Sequence, residues 1–196
     1  MLDSTSAIAS LHQQLLDLLV QEAYREGDFV LSSGQRSSYY INGKLVTLRP
    51  DGALAIGHLL LARLPADTEA VAGLTLGADP IVTAVSVVSA LGDRPLPALI
   101  VRKEAKGHGT RAYIEGPVLP AGAQVVVLED VVTTGQSALQ AVERLQAAGY
   151  RVERIIALVD RQQGGRELYH ERGLAFEALY EIGELQARAR QLAAMD

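Results

Sequence analysis

The run Val125-Val126-Val127-Leu128-Glu129-Asp130-Val131-Val132-Thr133-Thr134-Gly135-Gln136-Ser137 passes from aliphatic residues to two adjacent carboxylates and then to hydroxyls and a glycine. A strand feeding a helix in this way presents unpaired backbone N–H groups and a positive dipole end. Hydroxyls from Thr133, Thr134 and Ser137 add donors, and Gly135 lets a phosphate approach the backbone, so this half is an anion cradle. Glu129 and Asp130 repel phosphate but accept hydrogen bonds, which fits vicinal hydroxyls such as those of a ribose. The two halves together describe a ribose 5-phosphate site. A plain strand-to-helix junction would explain Thr and Ser as caps. It would not explain two acids at the end of a buried strand, which need hydroxyl or metal partners. The run contains neither Gly-Lys-Ser/Thr nor Gly-x-Gly-x-x-Gly, so it is neither a Walker loop nor a dinucleotide fingerprint.

A second segment, Arg102-Lys103-Glu104-Ala105-Lys106-Gly107-His108-Gly109-Thr110-Arg111, gathers cationic groups. The chain has three lysines, Lys44, Lys103 and Lys106, against fifteen arginines, so two of the three fall here. Glycines on both sides of His108 make a loop suited to closing over a polyanion such as pyrophosphate. The turn Thr75-Leu76-Gly77-Ala78-Asp79-Pro80 could bind the same anion through backbone N–H groups. His12, His58 and His170 fall on expected helices without a second ligand at metal spacing, so they read as surface or core-packing residues and no side-chain metal site is expected. Tyr24, Tyr150, Tyr169 and Tyr180 read as packing residues with one polar end.

These segments sit in 196 residues, which supports one domain. At 48% hydrophobic and 21% charged, the chain is that of a globular α/β protein with an aliphatic core. Twenty-three acidic against 18 basic residues leave a formal charge of −5, which disfavours nucleic acid or anionic membrane as partner. The absence of cysteine excludes disulfides, thiolate metal sites and cysteine nucleophiles. The first residues lack a basic segment leading into an apolar run, and no aliphatic stretch is long enough to span a bilayer; a cytoplasmic protein is expected.

The elements that must hold these residues follow from periodicity. Apolar residues Ile8, Leu11, Leu15, Leu18 and Leu19 predict a helix over 7–24, ended by Gly27 and Asp28. Residues 29–46 mix extended pieces with a polar turn, giving a small N-terminal hood over about 1–50. The rest, about 51–196, alternates strand, turn and helix. Strands are predicted at 70–75, 98–102, 125–130, 154–160 and 175–181, and helices from about 52 to 64 and at 78–91, 136–148, 164–172 and 184–194. Near-continuous aliphatic strands predict a parallel sheet covered on both faces. In such sheets ligands bind beyond the carboxyl ends of the strands, which here means 75–80, 102–111, 129–137 and 160–166.

The run at 125–137 resembles the phosphoribosyl diphosphate (PRPP) motif of type I phosphoribosyltransferases. The Arg102-Lys-Glu-Ala-Lys-x-His-Gly loop, Phe29-Val-Leu-Ser-Ser-Gly, and Asp160-Arg-Gln-Gln-Gly-Gly-Arg166 narrow the resemblance to orotate phosphoribosyltransferases, over about residues 27–166. The resemblance implies a Rossmann-like parallel sheet with flanking helices. It also implies conversion of orotate and PRPP to orotidine 5′-monophosphate and pyrophosphate in pyrimidine biosynthesis, with Mg²⁺ held mainly by the substrate and water. By the same resemblance, Arg102, Lys103, Lys106 and His108 form the pyrophosphate-binding loop. Glu129, Asp130, Val131, Val132, Thr133, Thr134, Gly135, Gln136 and Ser137 form the ribose-phosphate cradle, and Thr133 and Arg161 contact orotate. A homodimer is implied, with the loop at 102–111 reaching the neighbouring active site. The chain departs from some members, which carry lysines at the positions of Ser32 and Gly77 and an orotate-packing aromatic pair at Tyr40 and Ile41. Two other functions share the motif: a purine phosphoribosyltransferase, disfavoured by the loop and the Asp160-Arg161-Gln162 segment, and a non-catalytic PRPP-sensing regulator, disfavoured by the acidic charge.

Overall fold

The structure is a computed structural model that describes residues 5–30, 36–106 and 113–195. Helix α1 (Thr5–Leu18) widens into a π-helical turn at Leu19–Ala23, and the chain leaves it directly into β1 (Tyr24–Val30). β1 pairs antiparallel with β2 (Arg36–Ile41) as a separate two-stranded hairpin. The helix therefore stops short of Gly27 and Asp28. These two residues lie inside β1, where Glu26 pairs with Tyr39 and Phe29 with Ser37, so both stand opposite Ser38 as a bulge. Glycine beside aspartate breaks a helix and bulges a strand equally well, and the local pattern does not separate the two.

After α2 (Lys44–Thr47) and α3 (Pro50–Leu61), the core begins with β3 (Ala70–Leu74), α4 (Asp79–Ala90) and β4 (Ala98–Val101). It continues through β5 (Ile114–Glu115), β6 (Gln124–Val132), α5 (Gln136–Ala147), β7 (Arg151–Asp160), α6 (Gly165–Glu171), β8 (Ala175–Glu181) and α7 (Ile182–Ala193). All five expected strands are present, as are the helices expected after the first, third, fourth and fifth of them. The short β5, antiparallel to β4, is an addition.

The sheet order is β5-β4-β3-β6-β7-β8, with β4, β3, β6, β7 and β8 parallel. Along β6, Val126 and Leu128 face one core and Val125 and Val127 the other. That period-two split is what two-sided burial requires of a parallel strand. The first core is completed by Leu15 of α1, Ile56 and Leu60 of α3, Ile81 of α4 and Leu185 of α7. The second is completed by Leu145 of α5 and Tyr169 of α6. His12 is part of the first core's rim, its ring hydrogen-bonding with the Leu179 carbonyl at 3.0 Å.

Helix α5 ends as composition predicts. Gly149 has φ +90°, its N–H donates to the Gln146 carbonyl, and Tyr150 N–H donates to the Leu145 carbonyl. Among the described residues no helix is long and apolar enough to cross a membrane.

Candidate active site

From β3 the chain steps to β4 on one side and later to β6 on the other, so the order reverses between β3 and β6. A crevice opens beyond the carboxyl ends of strands at such a switch point. The turn after β3 and the loop after β6 meet there. A β-carbon on Gly77 would stand 2.5 Å from Asp130 Oδ1, so only glycine lets the two segments approach this closely.

On the β6 side, Glu129 is buried and Asp130 half-buried. Asp130 N–H donates to Glu129 Oε1 at 3.3 Å, and Val131 N–H donates to Asp130 Oδ1 at 2.9 Å. Glu129 Oε2 is buried with no partner. Burial, with the Asp130 carboxylate beside it, pushes the Glu129 carboxyl well above its ordinary range, while the Asp130 N–H and then Lys103 pull it back in part. An orphaned buried carboxyl oxygen costs free energy until something donates to it. Its environment suits a substrate hydroxyl.

Beyond the acids, Val131, Val132, Thr133, Thr134, Gly135, Gln136 and Ser137 wrap, with Glu129 and Tyr169, around a cavity of about 80 Å³. Gly135 has φ +84°, and a β-carbon there would lie 2.9 Å from the Tyr169 ring. This left-handed residue is what turns the strand into α5 with its N–H groups facing the cavity.

A larger cavity of about 340 Å³ adjoins the acids and is bordered by Lys44, Thr75, Gly77, Lys103, Glu129, Asp130 and Ser137, among others. Of the loop cations, Lys103 thus lines the crevice. Arg102 and Lys106 instead approach Glu115, at 3.2 and 3.9 Å. His108 lies outside the described residues, as does Ser32. Among the described residues no group of three or more His, Asp or Glu is placed to hold a metal ion. Two adjacent carboxylates, one with a free oxygen, form a donor set fitted to sharing a hydrated ion with substrate oxygens.

Arg161 follows β7, whose Asp160 pairs with Val132, and its N–H donates to the Val132 carbonyl at 2.9 Å. The residue is 7% exposed. Its Nε donates to the Tyr39 hydroxyl at 3.2 Å and its Nη2 to Ser37 Oγ at 3.3 Å, and the guanidinium lies 4.7 Å from the Tyr39 ring centre. Two of its donors are thus held by the hairpin. The aromatic residue beside Arg161 is Tyr39; Tyr40 points to the other side of β2 and packs on Phe29 at 5.6 Å between ring centres.

Sequence reasoning missed Tyr39, Ser37 and Lys44. Lys44 did carry a signal, as the one lysine of three outside the cationic loop. Asp160 is buried, accepting from Gln162 N–H at 2.8 Å and from Arg166 at 3.4 Å, and so shapes the turn that carries Arg161.

The chain is 71% identical over 189 residues to an orotate phosphoribosyltransferase from Nostoc sp., covering 96% of this chain and 92% of the relative. The chain belongs to the orotate phosphoribosyltransferase family. A second member, from Synechocystis sp., is 67% identical, over 95% of this chain and 94% of that protein. Among solved structures, the orotate phosphoribosyltransferase of Mycobacterium tuberculosis in complex with Fe(III) dicitrate superposes with a TM-score of 0.79 at 36% identity, covering 89% of this chain and 98% of that one. The same enzyme in complex with PRPP superposes with a TM-score of 0.75 at 33% identity, over 90% and 99% of the two chains. An adenine phosphoribosyltransferase from Leishmania donovani, 17% identical with a TM-score of 0.66, shares the fold. No protein-family model matches the chain. The fold is that of type I phosphoribosyltransferases, as the strand order and the family membership together establish.

Proposed function

We propose that this chain transfers the 5-phosphoribosyl group of PRPP to orotate, giving orotidine 5′-monophosphate and pyrophosphate, as a cytoplasmic enzyme of pyrimidine biosynthesis. The observation that carries the reading is the orphaned, buried Glu129 beside Asp130 at the mouth of an N–H-lined cradle at the sheet's switch point. Ribose hydroxyls would donate to Glu129 and Asp130. The 5′-phosphate would sit against Thr133, Thr134, Gly135, Gln136 and Ser137, with Val131 and Val132 supplying backbone. Arg161 would face the orotate carboxylate, to which its fork can bind bidentately.

In the reaction the bond from ribose C1 to pyrophosphate breaks and an orotate nitrogen bonds to C1, so no enzyme nucleophile is needed. Positive charge builds on the sugar and negative charge on the leaving group. Lys103, with Arg102, Lys106 and His108 of the same loop, would stabilise the departing pyrophosphate, and exclusion of water would protect the sugar cation. Mg²⁺, held mainly by pyrophosphate, ribose oxygens and water and by Asp130 or Glu129 at most through water, would neutralise part of the phosphate charge.

The working unit is a homodimer of single catalytic domains, with the loop at 102–111 reaching the neighbouring site. An apolar groove of about 720 Å³ between α3 and α4 supports a second copy there, because Leu48, Leu54, Leu76 and Val87 are 53–69% exposed on it. Lys44 and Leu76 border both this groove and the crevice, so the dimer face and the active site are continuous.

The test is pyrophosphate release with PRPP, Mg²⁺ and each of orotate, adenine, guanine and uracil. Turnover with orotate alone is expected; a robust rate with a purine and none with orotate overturns the assignment.

A further inference from the structure

Both ends of the cationic segment meet one side chain. Arg144 lies on α5, two turns beyond the cradle. Its Nη1 donates to the Arg102 carbonyl and its Nη2 to the Lys103 carbonyl at 2.8 Å. The same guanidinium stacks over Tyr113, 4.1 Å from the ring centre. Arg102 and Tyr113 are the two stems of the segment: Arg102 N–H donates to the Tyr113 carbonyl at 2.7 Å, beside the Val101–Ile114 pair of β4 and β5. Arg144 therefore grips the outgoing stem by two consecutive carbonyls and the returning stem by a ring. Bonds to consecutive carbonyls fix the peptide between them, and with it the direction in which Lys103 leaves the backbone.

Lys103 borders the crevice with Glu129, Asp130 and Ser137, and a second cavity of about 310 Å³ along α5 with Gln136 and Gln140. The helix that presents the phosphate cradle at its first turn thus sets the position of the pyrophosphate-facing lysine through Arg144.

We propose that Arg144 is a positioning residue of the reaction, holding the Arg102 and Lys103 stem in register with the cradle so that Lys103 meets the pyrophosphate group. This rests on the PRPP reading above. Displacements of about 1 Å at a reacting group can cost about 10²-fold in rate, so a brace that spans the two anion sites controls turnover. The contact set needs a planar guanidinium. A lysine has three donors but no planar fork whose edge can reach both carbonyls while its face lies on the ring.

The experiment is the reverse reaction, orotidine 5′-monophosphate plus pyrophosphate giving PRPP and orotate, with each KM measured separately. No activity in the unsubstituted enzyme would sink the PRPP reading itself and leave Arg144 aside. With that activity present, Arg144→Ala should raise the pyrophosphate KM or lower kcat about tenfold or more, leaving the orotidine 5′-monophosphate KM and the Tm near their starting values. Arg144→Lys should not restore either. Tyr113→Leu, which removes the ring and keeps the carbonyl bonds, should give a smaller change in the same direction, and it carries the test if Arg144→Ala does not fold. Pyrophosphate KM and kcat within about twofold of the unsubstituted enzyme overturn the proposal. So does a rise of both KM values together, the mark of a general structural role.

Discussion

Arg161 and Tyr39 lie 122 positions apart and meet twice, through an Nε to hydroxyl bond of 3.2 Å and a guanidinium to ring distance of 4.7 Å. The hairpin thereby clamps the residue that follows β7. If Arg161 faces the orotate carboxylate, loosening this clamp should affect orotate and leave PRPP alone. Tyr39→Phe removes the acceptor and keeps the ring, and should raise the orotate KM about tenfold, the low end for one hydrogen bond to a charged group. Tyr39→Leu removes both contacts and should cost more. Steady-state kinetics with each substrate varied in turn checks this; equal effects on both KM values would show that the hairpin does not act through Arg161.

Glu129 couples stability to pH with a definite sign. Its folded-state carboxyl is raised above the ordinary 4.5 by burial and by Asp130, so the free protein holds a proton there that the unfolded chain releases. Its contribution to stability is full below pH 4.5 and is lost as pH rises through the folded value. Glu129→Gln should therefore flatten the fall in Tm with rising pH. Ribose hydroxyls donating to Glu129 favour the carboxylate, so binding orotidine 5′-monophosphate should expel a proton. Calorimetry in two buffers of different ionisation enthalpy should report more proton release for the unsubstituted protein than for Glu129→Gln. Identical buffer dependence in the two proteins would remove Glu129 from ribose recognition.

What could be read from sequence alone follows how local each feature is. The run at 125–137 is one unbroken stretch from β6 into α5, so residue types and order were enough to place it at a strand-to-helix junction. The aliphatic strands were legible because burial on both faces leaves little room for polar residues. The clamp on Arg161 was not, since Ser37 and Tyr39 lie 124 and 122 positions away in a hairpin whose own pattern is irregular. Arg144 carries no signal in the sequence, because carbonyl acceptors on another segment leave no mark in composition. Gly27 and Asp28 were misread for a related reason: a helix stop and a strand bulge use the same residues, and only pairing with β2 decides between them.

Gly77 tests how closely the turn after β3 must approach the acids. A β-carbon there would meet Asp130 Oδ1 at 2.5 Å and Cγ at 2.8 Å, so Gly77→Ala forces the carboxylate aside. The PRPP KM should rise and kcat should fall, together costing about tenfold or more in kcat/KM. The Tm should change little, because the turn is only partly buried. Gly183→Ala is the control, since a β-carbon there meets nothing within 4 Å. Unchanged kcat/KM in Gly77→Ala would mean that Asp130 has room to move without loss.

Each loop cation can serve its own chain or the neighbour's. Lys103 lines the crevice of its own chain, whereas Lys106 is exposed and 3.9 Å from Glu115. If Lys106 acts in the neighbour's site, a heterodimer of Lys106→Ala with Asp130→Ala holds one site with both lesions and one with neither. Two inactive parents should then regain activity on mixing, approaching half of the unsubstituted level per heterodimer if the sites are independent. If Lys106 acts in its own site, every site keeps one lesion and mixing restores nothing. Lys103→Ala mixed with Asp130→Ala is the internal contrast, because a lysine that serves its own crevice gives no rescue. Subunit exchange has to be verified with two affinity tags, since unmixed homodimers also stay inactive. Verified heterodimers of the Lys106 pair without recovered activity, both parents being folded, would exclude a site shared across the dimer.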